Sequence, residues 1–543
     1  MTYPANVIYD FIPATGAAVA ATDPGQRLIA DVASCNECHG KLGGIPGTES
    51  QAFHGGSRQD PKYCVMCHTD QRKFGANAQT STNNTFDATK SATVFDGVNV
   101  ADLPVPIHRV HKGEMLVKKG YNFGGVLLNE TKFPQDIRNC TKCHDDTAPK
   151  VAPQGSNYKN VPSRLACGAC HDGIDFAKGT GTTNAGATTG HAGLAQPDDT
   201  LCATCHKPEG IVAAHVPVSP PNPANSLLLG GTNANTNAAW IASSSKSLPA
   251  GAIQVSYDIK SVSRNATTKN PSIVFRMLQN GVAVPFNTYS ATGKTEIWDN
   301  FMGSPSVYFV YSVPQDGITA PSDFNVSASG YIRSLWNGIY PSSANAASKG
   351  TLTGPDASGY YTATIGAIVP DNAVMLTGGI GYTYGVVNTL PLTQTNLADY
   401  PVVAATAPAA SLTAGMLNKT GGLIVIATDN QKVATNYTAR RAVVEDKRCN
   451  ACHEELGVFT EESFHAGQRN DGTTCSWCHK PNQTSSGWSA DSAYFVHAIH
   501  GASKRGAAAP FTWHATTTTS SFANVGYPGV LANCETCHLP GTY

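Results

Sequence analysis

The sequence predicts two terminal regions of short helices and loops flanking a central antiparallel β-barrel or sandwich. Three observations predict it. All 16 Cys of the 543 residues fall in the two ends and belong to one repeated pattern. The 17 His cluster in the same stretches. The Cys-free middle alternates β-branched, aromatic and polar residues with a period of two, the mark of half-buried strands. A chain of this length exceeds one compact core. Charged residues make up 14%, against roughly 25% in a typical soluble domain. With 52 Gly and 33 Pro, much of the backbone should be turn and irregular structure. The formal net charge of −1 excludes a nucleic-acid binder that works by bulk basicity. No apolar run approaches the roughly 18 residues of a membrane-spanning helix. A hydrophobic fraction of 41% suffices for packed cores.

The N-terminal region comes first. The Cys pattern is Cys-x-x-Cys-His, and it occurs eight times in the chain. The pairs are Cys35/Cys38, Cys64/Cys67, Cys140/Cys143, Cys167/Cys170, Cys202/Cys205, Cys449/Cys452, Cys475/Cys478 and Cys534/Cys537. Each is followed at once by a His: His39, His68, His144, His171, His206, His453, His479 and His538. This is the attachment signature of c-type haem. Two thiols three residues apart can reach the two vinyl groups on one porphyrin edge, and the adjacent imidazole becomes the proximal iron ligand. Zinc ribbons, redox dithiols and disulfides do not require that His. Eight covalently bound haem c groups follow, and no Cys remains for another use. The predicted class is therefore a multihaem c-type cytochrome, with helices and loops packed on porphyrin rather than on each other.

Nine His are left over: His54, His108, His111, His191, His215, His465, His497, His500 and His514. They track the motifs, five with the five N-terminal motifs and four with the three C-terminal ones. Bis-His iron with one His to spare is the economical reading. An internal repeat identifies the spare. The stretch Cys35–His144 recurs, shortened, in Cys449–His538. Phe53-His54-Gly55-Gly56-Ser57-Arg58 aligns with Phe464-His465-Ala466-Gly467-Gln468-Arg469, each His ten residues before the next motif. His108-x-x-His111-Lys112-Gly113 matches His497-x-x-His500-Gly501. Phe133-Pro134 precedes Cys140 as Tyr527-Pro528 precedes Cys534. His514 has no counterpart and is the expected non-ligand. A three-residue step puts both His of each His-x-x-His on one helical face, where they could serve two closely spaced haems.

The middle of the chain, 216–440, opens on a Pro-rich stretch, Pro217 to Pro223, that reads as a stiff linker. Expected strands are Ile253–Ile259, Ser306–Tyr311 and Tyr360–Ile365, with Gly422–Ala427 as a buried strand. The haem regions show no comparable strands. The domain reading is five haems in 1–215, the β domain in 216–440 and three haems in 441–543, the last a complete three-haem domain or a truncated five-haem one.

Several motifs together resemble the outer-surface decahaem c-type cytochromes of metal-reducing bacteria, the OmcA/MtrC family. They are Cys-x-x-Cys-His followed by His54-Gly-Gly-x-Arg58, the His-x-x-His-x-Gly, Phe133-Pro-Gln-Asp-Ile-Arg-Asn-Cys-Thr-Lys-Cys-His144, and Pro162-Ser-Arg164-x-x-Cys167-Gly-x-Cys170-His171. The resemblance covers nearly the whole chain. It implies haem domains alternating with β-barrel domains. It also implies electron transfer from a porin-embedded partner to metal oxides, flavins or other extracellular acceptors, at the outer membrane surface. Ser304-Pro305-Ser306 resembles a hydroxyl-Pro-hydroxyl motif proposed for oxide contact in that family, though a plain turn is the simpler expectation. The sequence departs from the pattern in having no β domain before Cys35, three motifs rather than five in the second haem region, no Cys pair in the β domain, and no signal sequence or lipoprotein Cys. An excerpt of a longer protein is the expectation, a natural octahaem form the alternative.

Counting each ferric haem as −1 takes the net charge to roughly −9, an acidic surface field. Two other functions share the motifs. A polymerising cytochrome filament has the same chemistry and a different assembly, with other copies or other multihaem cytochromes as partners. A multihaem reductase of nitrite, hydroxylamine or sulfur oxyanions needs an iron with an open site, which eight motifs ending in His and at least eight further His disfavour. Intrinsic substrate catalysis is therefore not assigned beyond outer-sphere reduction of metals or flavins.

Overall fold

The computed structural model describes residues 5–20, 23–44, 53–69, 77–135, 137–145, 152–182, 190–215, 253–294, 297–298, 304–338, 350–383, 424–426, 429–453, 456, 471–485, 488–505, 522 and 525–543. The expected linker 217–223, His465 and His514 lie outside them. Two compact units are present. One comprises 1–217 with 499–512 and 521–533; the other comprises 218–498 with 513–520 and 534–543.

The first unit is built of short helices, each with a local cause. Helix α1 (Val32–His39) starts where Asp31 accepts a hydrogen bond from the Ala33 amide. Helix α2 (Pro104–Lys112) has Pro in its first turn and stops at Gly113. Gly113 has φ +49°, and a Cβ there would overlap the Thr131 carbonyl, so the Gly of His-x-x-His-x-Gly is required by both conformation and space. Helix α3 (Arg164–Cys170) is capped by the Ser163 hydroxyl, which accepts from the Ala166 amide. Helix α4 (Pro208–His215) also opens on Pro. Among the described residues only two-residue strands accompany them, including a three-stranded patch at 78–79, 94–95 and 98–99.

One expectation is corrected here. Phe86, Phe95, Val100, Val105, Leu116, Tyr121, Leu128 and Ala169 form an apolar core of their own. Phe86, Phe95 and Tyr121 meet edge-on or tilted, with ring centres 4.7–5.1 Å apart. The helices of this region thus pack on each other, because residues 86 to 128 carry enough aromatic and branched side chains to close a core.

The second unit holds two larger sheets. Its strands are β1 (Ile253–Arg264), β2 (Pro271–Gln279), β3 (Ser304–Ser312), β4 (Val326–Tyr331), β5 (Thr351–Thr353), β6 (Tyr361–Thr364), β7 (Met375–Thr383), β8 (Ile424–Ile426) and β9 (Asn430–Val433). One sheet runs β5-β6-β2-β1-β8, with Val282–Ala283 pairing the end of β2. The other runs β4-β3-β7-β9. Val255, Tyr257, Ile273, Phe275 and Met277 from the first meet Val307, Phe309, Leu376 and Ile380 from the second in one core. The two sheets share a core as a sandwich does, and neither closes into a barrel. Pairing is antiparallel except between β8 and β1, which run parallel.

Strand β3 is buried on both faces along its whole length. Val307, Phe309 and Tyr311 face the shared core, while Tyr308 and Val310 join Phe324, Met375 and Trp477 on the other side. This overturns both readings of Ser304-Pro305-Ser306. The three residues are neither a turn nor an exposed loop; they begin β3 and are buried. Ser304 Oγ accepts from the Arg333 amide and donates to the Pro305 carbonyl, so it is consumed within the fold. In the same unit, α5 (Asp446–His453) and most of α6 (Ser492–His500) carry motif and ligand residues.

Candidate functional site

The attachment motifs share one local geometry. In six of them the His amide donates to the carbonyl of the first Cys at 2.8–2.9 Å: His68, His144, His171, His206, His479 and His538. The remaining two, at Cys35 and Cys449, lie within α1 and α5. One turn of backbone therefore holds both thiols on one side, with the imidazole just beyond. Where burial is deepest it keeps the thiol protonated, pushing Cys35, Cys449 and Cys475 up to about 12 and Cys170 to about 11. Thiols of different motifs are close enough to raise one another: Cys143 and Cys64 act on Cys35, Cys537 on Cys449, Cys449 on Cys475, and Cys202 on Cys167. The same neighbourhood thus recurs in both copies of the repeat.

The sequence treats the two thiols of a motif as equivalent, and the structure separates them. Second cysteines Cys67, Cys205 and Cys478 are exposed, whereas their motif partners Cys64, Cys202 and Cys475 are half-buried. Cys38 and Cys452, in α1 and α5, are half-buried like their partners Cys35 and Cys449. The pattern is not uniform: in the fourth and eighth motifs the first cysteines, Cys167 and Cys534, are exposed, while Cys170 and Cys537 are half-buried. Exposure therefore follows what packs over each turn, and Cys38, Cys67, Cys205, Cys452 and Cys478 are assigned to a porphyrin edge by their place in the motif.

The His residues meet in pairs. Two imidazoles bound to opposite sides of one metal ion at about 2 Å place their ring centres about 6 Å apart. His39 faces His111 at 6.1 Å, His68 faces His54 at 6.2 Å and His144 faces His108 at 6.0 Å. His171 faces His215 and His206 faces His191, both at 6.1 Å. In the second copy His538 faces His497 at 5.7 Å, Nε2 to Nε2 3.5 Å. Each pair joins one motif His to one leftover His. The His-x-x-His of α2 is divided between two motifs, His108 with the third and His111 with the first. His497 repeats the role of His108.

The rings are oriented by the backbone. Nδ1 lies 2.6–3.1 Å from a carbonyl oxygen in His68 (Ala101), His111 (Ile107), His144 (Ile29), His191 (Leu194), His215 (Ile211), His479 (Ala490) and His497 (Ala493). With Nδ1 donating, Nε2 is the nitrogen that carries the lone pair. Burial lowers His39, His108 and His171 to about 4, with the facing His111 and His144 the next cause for the first two and Lys112 for the third. These imidazoles are neutral at neutral pH, the form that binds metal.

Several contributors carry no motif that sequence reasoning could rank. Phe133 stands edge-on to His111 at 5.6 Å, and Tyr527, its repeat partner, stands edge-on to His500 at 5.9 Å. The aromatic-Pro pairs noted in the sequence therefore wall the second His of each His-x-x-His. Tyr158, Phe176 and Phe495 do the same for His144, His191 and His479. Glu37, inside the first motif, forms an ion pair with Lys142, inside the third. Trp477, inside the seventh motif, is buried against Tyr308 and donates from Nε1 to Gln431 at 3.1 Å.

Among the described residues no three His, Cys, Asp or Glu converge to hold a metal ion, as a zinc ribbon would require. Paired thiols on a turn, an imidazole with its lone pair on Nε2 and a second imidazole opposite it fit a covalently attached, doubly ligated haem.

Comparison with known proteins agrees with this chemistry. A family model described as outer membrane cytochrome MtrC/MtrF-like, domains II/IV, matches residues 27–216 and 441–543. The chain is also 26% identical, over 210 residues, to the multiheme cytochrome MtrC of Shewanella baltica (strain OS185). That match covers 39% of this chain and 22% of the relative, about a fifth of its length. Both stretches of the family match coincide with the motif-bearing ends and together exceed half the sequence, so the chain belongs to the MtrC/MtrF-like outer membrane cytochromes.

Proposed function

We propose that this chain conducts electrons through eight bis-His haem c groups, serving extracellular electron transfer to metal oxides, flavins or other outer-surface acceptors. The carrying observation is the pairing itself: six motif His each face a second His at 5.7–6.2 Å. By the repeat, His465 takes the role of His54 and His500 that of His111. All sixteen cysteines take part in attachment, with Cys38, Cys67, Cys205, Cys452 and Cys478 each making the second thioether of its motif. The layout proposed is five haems in 1–215, the β domain in 216–440 and three haems in 441–543.

Bound haem supplies one-electron exchange without bond making to substrate. The chain's residues do the rest. Cysteines fix the porphyrin edge and hold neighbouring motifs close together, which electron tunnelling requires because it falls off steeply with distance. Paired imidazoles would hold the iron of a bound haem between them, which would leave no position for a small substrate. Backbone carbonyls on Nδ1 hold seven of the imidazoles, and aromatic walls flank several, so little would reorganise when an electron arrives. Partners of this reading are other multihaem cytochromes or a porin–cytochrome conduit. Among the described residues no helix is long and apolar enough to cross a membrane.

Pyridine haemochrome quantification and electron paramagnetic resonance of the native protein test the reading together. Eight low-spin ferric haems per chain are expected. A high-spin ferric signal in the untreated protein, or a count below eight, overturns it.

A further inference from the structure

Helix α2 carries more than two axial imidazoles. Arg109, between His108 and His111, is 3% exposed, and its Nε and Nη1 meet no hydrogen-bond acceptor among the described residues. Its guanidinium lies 4.7 Å from the centre of the Tyr121 ring. The Tyr121 hydroxyl donates to Asp172 at 3.1 Å, and Asp172 accepts further from the amides of Val117 and Lys118, both at 2.9 Å. That carboxylate is thus bonded to neutral donors. Lys118 is paired with Asp96 at 2.7 Å. Lys112, one helical step beyond Arg109, is buried on the same helix. Both cations act on Cys170 of the fourth motif, the face where α2 packs on α3.

An unpaired buried cation is costly to a fold and calls for a reason. The internal repeat supplies a contrast. Helix α6 carries the same ligand pair, His497 and His500, but the equivalents of Arg109 and Lys112 are Ala498 and Gly501. Reduction of ferric iron removes one positive charge, so a fixed cation nearby favours the reduced form, more strongly where water is excluded.

We propose that Arg109 is a potential-setting residue that raises the haem of the fourth motif, whose Cys170 it faces, and holds the haems ligated through His108 and His111 above their counterparts on α6. The repeat then becomes an electrical step, with electrons resting on the N-terminal copy. This rests on the bis-His reading above.

The test is a redox titration of the full holo-chain followed by electron paramagnetic resonance, for the native protein, Arg109→Gln, Arg109→Met and Arg109→Lys, each checked for eight haems. Three of the eight components, those of the first, third and fourth motifs, should move to lower potential in the Gln and Met variants and stay near native in the Lys variant. Unchanged potentials with eight haems present overturn the proposal, as does a Lys variant that behaves like Gln. Failure of both uncharged variants to take up eight haems also overturns it, leaving Arg109 a packing residue. A fault in the bis-His reading would show separately, in the spin state of the native protein.

Discussion

Trp477 and Gly379 offer a test in which the magnitude follows from the geometry. Trp477 is 1% exposed, lies 5.1 Å from the Tyr308 ring and donates a 3.1 Å hydrogen bond to Gln431. Removing so large a buried aromatic typically costs 3–5 kcal/mol, so Trp477→Ala should lower stability by about 4 kcal/mol. Gly379 on β7 sits directly beneath the indole, and all three atoms nearest to a Cβ built there belong to Trp477, with Cη2 and Cζ2 inside contact distance. Gly379→Ala alone therefore overpacks the site, at about 2 kcal/mol. Its backbone is not in the left-handed region, so steric overlap is the main cost of the methyl. In the Trp477→Ala background that overlap disappears, and the added methyl partly refills the void. The double variant should be no less stable than Trp477→Ala alone, giving a coupling of about 2 kcal/mol. Urea unfolding followed by far-ultraviolet circular dichroism measures all four corners of the cycle. Additivity within about 0.5 kcal/mol would refute the reasoning, since distant or independent sites behave that way.

Other outcomes follow from the same geometry. His108→Ala and His111→Ala should each expose one haem, of the third and first motif respectively, so the double variant shows twice the high-spin intensity of either single one. Equal intensity in single and double variants would place both ligands on one haem. Burial, and after it the neighbouring Asp471 carboxylate, raises Asp446 to about 6. A carboxyl raised on folding contributes stability below its unfolded value near pH 4 and loses it as the pH climbs through 6. Asp446→Asn should therefore match the native protein at pH 4 and exceed it at pH 8 by about 1 kcal/mol, after allowance for solvent screening; thermal unfolding at the two pH values decides. Gly113→Ala should destabilise by about 2 kcal/mol or more, because it combines positive-φ strain with overlap on the Thr131 carbonyl. Calorimetry that finds it neutral would remove the reason given for that glycine.

Much of the site was legible in the sequence because covalent attachment imposes strict local spacing. Cys, Cys and His within five residues need no tertiary information. The repeat also aligned His497 with His108, and the two aromatic-Pro pairs with each other. What the sequence did not show is who meets whom. His108 and His144 are 36 positions apart and His39 and His111 are 72 apart, and no local rule joins them. Nor did spacing reveal that Cys67, Cys205 and Cys478 stand more exposed than the first thiols of their motifs, since that depends on what packs over each turn. Arg109 was equally silent, since a cation in a helix reads as solvated until its burial is known. Strands β1, β3 and β6 followed from period-2 patterning. The double burial of β3 did not, because the cover on its second face comes from Trp477, 169 residues after Tyr308. Ser304-Pro305-Ser306 was misread for the same reason: small hydroxyl residues around a Pro look like a turn wherever the layer above them is out of view.

The division of one His-x-x-His between two motifs also limits how this protein can change. Each residue added to α2 between His108 and His111 would swing one imidazole by about 100° and lengthen the rod by about 1.5 Å, costing one of the two partnerships. Substitution between them is open, as Arg109-Val110 in one copy and Ala498-Ile499 in the other already show. Length is not. The helix works as a gauge: drift in composition is free to alter the charge and shape around two His pairs, while the interval between the imidazoles that enter them is set by the pitch of the backbone.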